Sequence, residues 1–354
     1  MEPFYDPNKS YEENWETGPF GVFANPAKLE ERSGAGYITI PFGIPAGPLV
    51  NGRFVKAALD KGFDVCVYKT VRTYEKKANQ WPNVVAVDIK GDLTMEQAKQ
   101  GVVAKEGFTE PLAITNSFGN PSYPVDVWQP DIADAVTYAR KGQQVWGMIE
   151  GDSLEDWVLA ARLMNETKVH GIEVNFSCPN EGDKVKRLLC FDAQKSRDIA
   201  YAIKNKIGDT PLVVKISYFA RLAEDGESRR ENQEELRSLV QELGKIVDGI
   251  SAINTIPAPV YKPDGTQALP GGEWRLKSGI CGSPIKWAGL DMVKRLKALR
   301  DELRMKYAIT GVGGVMTPAD YHEYRSSGAD VVMSATGAMW NPHLAIEIKE
   351  SLQK

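Results

Sequence analysis

Histidine is scarce in this chain. His170, His322 and His343 stand far apart and show no metal-ligand spacing. Histidine-based triads therefore have little support. Cysteine is almost as scarce, with Cys66, Cys178, Cys190 and Cys281 and no Cys-x-x-Cys pair. That argues against disulfides, a zinc site or an iron–sulfur cluster on this chain, and for a reducing, cytoplasmic setting. No apolar run is long enough to span a bilayer. The opening Met1-Glu2-Pro3-Phe4-Tyr5-Asp6 has neither the basic start nor the apolar core of a secretory signal. An excess of one charge is lacking too: 43 basic residues face 47 acidic ones, for a formal net charge of -4. Nothing here resembles a basic face for nucleic acid. There is no internal repeat and no low-complexity tract.

What is present is a pattern of short apolar runs alternating with amphipathic stretches. The 354 residues are 42% hydrophobic and 25% charged, enough for a large core. Residues 1–36 read as an arm that packs onto the body, and residues 37–354 as a single domain. Strands are expected at Ile40–Ala46, Asp64–Thr70, Gln144–Glu150, Gly171–Asn175, Leu212–Ile216, Gly249–Thr255, Tyr307–Gly311 and Asp330–Ser334. Helices are expected at Gly52–Lys61, Ile132–Lys141, Leu154–Thr167, Ala193–Lys206, Glu231–Val247, Lys286–Lys306, Pro318–Ser327 and Pro342–Leu352. Eight buried-type strands alternating with helices predict an α/β fold, a (β/α)8 barrel. The rival, a doubly wound sheet, would carry Gly-x-Gly-x-x-Gly after its first strand. That strand ends instead in Pro45-Ala46-Gly47-Pro48. Two stretches, Val71–Pro130 and Ile256–Pro284, are long for barrel loops and read as rim insertions that build a site.

Several side chains fall at the C-terminal ends of these strands, the catalytic rim of such a barrel. Cys178 follows the strand Gly171–Asn175 within Asn175-Phe176-Ser177-Cys178-Pro179-Asn180. A lone cysteine there is more often a small hydrophobe than a base, but its neighbours change the balance. Lys69 and Lys215 each finish an apolar strand, which suits an anionic ligand. Asn116, Asn175 and Asn254 occupy similar positions, and carboxamides that donate and accept match an amide-rich ring such as a pyrimidine. The last two strands end in Thr310-Gly311-Val312-Gly313-Gly314 and Ser334-Ala335-Thr336-Gly337. Glycines on these two loops are suited to holding phosphate. A third cluster, Gly279-Ile280-Cys281-Gly282, stands ready to complete the cradle.

In this order, the Asn175–Asn180 loop, the Asn116–Pro121 segment, Lys69-Thr70, Lys215, Asn254-Thr255 and the glycine loops resemble class 1 dihydroorotate dehydrogenases. The resemblance runs from about residue 40 to the end. It implies an FMN-containing barrel that oxidises dihydroorotate to orotate in pyrimidine synthesis. Cys178 would take the proton from C5 while hydride leaves C6 for flavin N5. Lys69 and the backbone amides of Phe118, Gly119 and Asn120 would hold the substrate carboxylate. Asn116, Asn175, Asn180, Asn254 and Thr255 would bind the ring. Ala46, Gly47, Lys69, Thr70, Asn116, Asn175, Lys215, Gly279, Gly282, Gly313, Gly314, Ala335 and Thr336 would hold FMN, with Lys215 at its N1–O2 edge.

The sequence departs from the family pattern in places. Phe118 stands where many relatives have methionine, and Asn120 where many have leucine. The last phosphate loop reads Ser-Ala-Thr-Gly rather than Gly-Thr-Ala. The Ile256–Lys277 stretch and Leu188-Leu189-Cys190 resemble the pyrimidine-reducing domain of dihydropyrimidine dehydrogenases, so a neutral dihydropyrimidine or other cyclic amide stands as the alternative substrate. The resemblance also implies a homodimer. The segment Gly279–Lys286 is closer to the NAD-linked group, whose members pair with an iron–sulfur and FAD electron-transfer subunit.

Overall fold

The computed structural model describes residues 3–24, 39–110, 112–177, 188–220 and 226–353. Thirteen strands are found among them: β1 (Phe42–Ile44), β2 (Val65–Val71), β3 (Val84–Val87), β4 (Val102–Lys105), β5 (Ala113–Asn116), β6 (Gln144–Ile149), β7 (Gly171–Asn175), β8 (Leu212–Ile216), β9 (Gly249–Ala252), β10 (Ile256–Tyr261), β11 (Lys277–Gly282), β12 (Ala308–Val312) and β13 (Val331–Met333). Eight of them close a parallel barrel in the order β1-β13-β12-β9-β8-β7-β6-β2. All eight lie within the runs that the sequence marked or within one residue of them. The reason is burial on both faces. Every residue of β2, β7 and β8 is buried, so these strands read as continuous apolar runs rather than alternating ones.

The helices between the strands are set by their ends. Thr317 caps Pro318–Ser327 through a reciprocal box with Asp320, and Gly328 stops the helix in a left-handed conformation at φ 111°. The sequence predicts that helix to the residue. Val125–Tyr138 begins seven residues before the expected Ile132, with Pro130 inside it. Proline argues for a break, but the turn before it carries Trp128, which is fully buried. The Trp128 indole donates to the Arg72 carbonyl at 3.0 Å. That burial outweighs the local penalty.

The two insertions are not irregular loops. They supply β3, β4 and β5 on one side and β10 and β11 on the other, which join as a second closed sheet, β10-β11-β5-β3-β4. Its pairings are antiparallel except β4 with β10, which runs parallel and shuts the ring. Ile256-Pro257-Ala258-Pro259 hid β10 from a sequence reading, because proline punctuates turns.

At the N-terminus, Tyr11–Thr17 is helical, capped by Ser10 and Glu13. Phe4, Tyr5, Tyr11 and Phe23 are buried. The Phe4 amide donates to the Met339 carbonyl at 3.1 Å, so this segment packs against the last part of the chain. Among the described residues, no helix is long and apolar enough to cross a membrane.

Candidate active site

One large cavity opens at the C-terminal end of the barrel, between the barrel strands and the second sheet. It holds about 1160 Å³ of empty space, continuous with solvent at its mouth. The barrel contributes Ala46 and Gly47 after β1, Lys69 and Thr70 on β2, Asn175 on β7 and Lys215 on β8. Asn254 and Thr255 follow β9, Gly313 and Gly314 follow β12, and Ala335 and Thr336 follow β13. The second sheet contributes Asn116, Phe118, Gly119, Asn120 and Gly282. Gly279 is not among the lining residues. A Cβ there would meet the Thr255 Oγ1 at 2.0 Å, so Gly279 gives room for Thr255 rather than facing the cavity itself. Cys178 and Asn180 lie outside the described residues; Asn175, on the same loop, is in the wall.

At one end the loops after β12 and β13 are fastened together. The Ser334 hydroxyl donates to the Val315 carbonyl at 2.6 Å and accepts from the Ala338 amide at 3.0 Å. The Tyr324 hydroxyl holds the Gly313 carbonyl at 2.6 Å. Gly314 has φ 65°, and a Cβ there would come within 2.8 Å of the Lys286 backbone. Only glycine lets this loop lie so close to the next helix. The result is a small-residue wall with main-chain groups near its surface, suited to an anion.

At the other end the polar side chains are braced from behind. Asn175 and Asn120 both donate to Glu150 Oε2, the former at 3.2 Å. Glu150 in turn pairs with Arg72 at 2.9 Å, and both are almost wholly buried. The Asn254 amide donates to the Ser177 hydroxyl at 3.1 Å and its oxygen accepts from the Thr255 amide at 2.9 Å. Asn116 donates to the Cys281 sulfur at 3.4 Å. Glu150, Arg72, Ser177 and Cys281 were not singled out from sequence. Their role is to hold the polar side chains of the cavity, which Cys281 itself also lines, and that is invisible until strands are placed.

Two cations sit in this wall. Lys215 is fully buried, donates to the Ser251 hydroxyl at 3.3 Å, and is pushed below the usual lysine range by burial, partly offset by Glu173. Lys69 donates to the Gly47 carbonyl at 3.3 Å, and its ammonium stands 4.4 Å from the centroid of the Phe118 ring. That contact is a cation–π pair, and it gives Phe118 a purpose that methionine would serve less well. Asn120 has φ 48°. Asparagine tolerates that left-handed backbone better than leucine, which accounts for the second departure. Burial pushes the Cys281 thiol up to about 11, so it is a neutral, packed group at neutral pH.

A sequence model of the family described as dihydroorotate dehydrogenase matches residues 36–354. The chain belongs to the dihydroorotate dehydrogenase family. A dihydroorotate dehydrogenase from Dictyostelium discoideum is 33% identical over 98% of this chain and 96% of its own length. The catalytic subunit of dihydroorotate dehydrogenase B (NAD(+)) from Thermodesulfovibrio yellowstonii is 23% identical, covering 78% of this chain and 84% of its own. The corresponding subunit from Petrotoga mobilis is 28% identical over 58% of this chain and 61% of its own. Membership in the dihydroorotate dehydrogenase family agrees with the (β/α)8 barrel.

Arg275, in the short turn between β10 and β11, braces this dihydroorotate dehydrogenase site. It is 1% exposed. Its five N–H groups donate to the carbonyls of Gln80, Pro82, Pro270 and Ser117 and to the Ser117 hydroxyl. Burial lowers it to about 10, which leaves it charged at neutral pH. It ties the start of the Ser117–Asn120 segment to the sheet above.

Proposed function

We propose that this chain is a flavin oxidoreductase that oxidises (S)-dihydroorotate to orotate in pyrimidine biosynthesis, with FMN as its cofactor. The observation that carries this reading is the convergence of Lys69, Lys215, Asn116, Asn175 and Asn254 on one cavity with the two glycine loops. The cavity fits FMN on its own chemistry. The Thr255 Oγ1 is buried without a hydrogen-bond partner among the described residues. A Cβ added to Gly47 would meet nothing within 4 Å, so the wall there leaves space for a ring. Among the described residues, Lys215 is a buried amine hydrogen-bonded to one neutral hydroxyl, that of Ser251, which suits a ligand that gains negative charge. Gly313, Gly314, Ala335 and Thr336 would hold the phosphate; Ala46, Gly47, Thr70 and Lys215 would hold the ring.

Bound FMN would supply the hydride acceptor. The protein's own residues do the rest. Cys178 accepts the proton from C5 of the substrate and a hydride leaves C6 for the flavin, so one proton and one hydride depart and a C5–C6 double bond forms. Asn116, Asn175 and Asn254 orient the ring by hydrogen bonds, their amides aimed by Cys281, Glu150 and Ser177. Lys69 and the amides of Phe118, Gly119 and Asn120 hold the carboxylate. This last group separates dihydroorotate from a neutral dihydropyrimidine, which has no carboxylate to bind.

Anaerobic mixing of the yellow protein with L-dihydroorotate tests the reading. Prompt bleaching of the flavin absorbance is the expected outcome. A fully loaded protein that stays oxidised would overturn the substrate assignment. The reading also implies a homodimer, checked by light scattering. The acceptor is assigned by reoxidation: fumarate directly, or NAD, which the names of the B-type catalytic subunits carry, through an iron–sulfur and FAD electron-transfer subunit.

A further inference from the structure

The first described residues of the chain reach the cavity. Tyr5 lines it together with Lys69, Asn116, Phe118 and Asn120. No barrel strand or rim sheet carries it there. It arrives on the N-terminal segment, which the sequence reading treated only as packing. The side chain is 2% exposed, yet its hydroxyl has no hydrogen-bond partner among the described residues. A buried phenol normally finds a partner, and leaving it without one costs free energy.

The position of Tyr5 is fixed from both sides. Before it, the Phe4 amide donates to the Met339 carbonyl at 3.1 Å. After it, the Asp6 amide donates to the Asn14 Oδ1 at 2.8 Å, and the Asn14 amide returns to the Asp6 carbonyl at 3.0 Å. Two residues on, the Pro7 carbonyl accepts from the Trp81 indole at 3.3 Å. The Tyr5 ring meets Phe118 edge-on, with centroids 5.5 Å apart at 90°. Phe118 is the ring that carries the Lys69 ammonium at 4.4 Å. Phenol and ammonium thus share one aromatic neighbour at one end of the cavity. Burial, with Glu12 and Asp6 adding to it, keeps the phenol protonated and therefore a donor.

We propose that the Tyr5 hydroxyl donates a hydrogen bond to the carboxylate of the bound substrate beside Lys69, so that the N-terminal segment completes the acidic-substrate end of the site. The inference rests on the dihydroorotate reading above. It makes Tyr5 a specificity-determining residue: a donor that a neutral ring would leave unsatisfied.

The test is Tyr5→Phe in the full chain, which keeps the ring packing and removes only the hydroxyl. Orotate binding is measured by titration calorimetry, beside flavin content and the kcat and KM for dihydroorotate. The expected result is an orotate Kd and a dihydroorotate KM raised about ten- to hundredfold, the loss of one hydrogen bond to a charged group. Flavin content stays native and kcat changes less than about threefold, since the carboxylate is bound alike before and during the reaction. Native orotate affinity in Tyr5→Phe overturns the inference while leaving the proposed function standing. Loss of flavin from the variant also overturns it, because the hydroxyl then serves the cofactor. If the unaltered, flavin-loaded protein neither binds orotate nor is bleached by dihydroorotate, the functional reading itself falls, and that outcome is visible without any variant.

Discussion

Cys281 illustrates how environment sets what a thiol can do. Cys281 lies between Asn116 and Thr336, and burial holds it at about 11. At pH 8 roughly a thousandth of it would be thiolate. Cys66 and Cys190 are fully buried. Alkylation of the native protein near pH 8 should therefore mark Cys178 first, and orotate should slow it; peptide mapping that finds Cys281 modified first would contradict this assignment. Cys178→Ala should keep its flavin but lose about 100- to 10,000-fold in the rate of flavin reduction. Stopped-flow reduction at the native rate would remove Cys178 from the mechanism. Glu150 acts from behind the lining. Glu150→Gln breaks one of the two ion pairs of Arg72, which keeps Asp152 at 3.0 Å, and should lower the unfolding free energy by about 1 to 2 kcal/mol, read from urea melts. Its dihydroorotate KM should rise as Asn120 and Asn175 lose their common acceptor charge.

The second sheet is the element that turns a barrel rim into a closed cavity, and Arg275 is its cross-link. Arg275→Leu leaves the Gln80, Pro82 and Pro270 carbonyls without their donor, while Ser117 keeps bonds from Asn79 and Asn83. At about 1 kcal/mol for each of the three carbonyls, the loss should be about 3 kcal/mol. Hydrogen exchange should then show the amides of β5 and β11 opening sooner than those of β7 and β8; uniform loosening would mean that the sheet and barrel unfold as one. This sheet is also where the sequence was hardest to read. The barrel strands were legible because both faces are buried, as in Leu212-Val213-Val214-Lys215-Ile216. β10 was not, because Pro257 and Pro259 break the pattern and its partners lie in another insertion. Asn116, Asn254 and Lys69 were legible as polar residues closing apolar strands. Tyr5, Glu150 and Arg275 were not, since nothing local distinguishes a tyrosine near a terminus or an arginine in a loop. Gly279 was legible as part of a glycine cluster but misleading, its space being taken up by Thr255.

For the whole molecule, the cavity is an unfilled space of about 1160 Å³, continuous with solvent at its mouth. A ligand that binds only the folded state stabilises it by mass action. Adding FMN to flavin-free protein at about a hundred times its Kd should therefore raise the unfolding free energy by about 2.7 kcal/mol. Differential scanning calorimetry would show this as a higher Tm, and an unchanged Tm would mean that the cofactor is not held in this cavity. The pairing of β1 with β13 has a consequence for synthesis. Phe42 and Val332 are partners, so the ring cannot close while the ribosome is still making the middle of the chain. Thr336 and Met339 emerge later still. A nascent chain thus carries unpaired parallel strands and no complete cavity until Met339 has emerged. Binding in this cavity cannot assist the early stages of folding, and those strand edges stay bare until the ring closes.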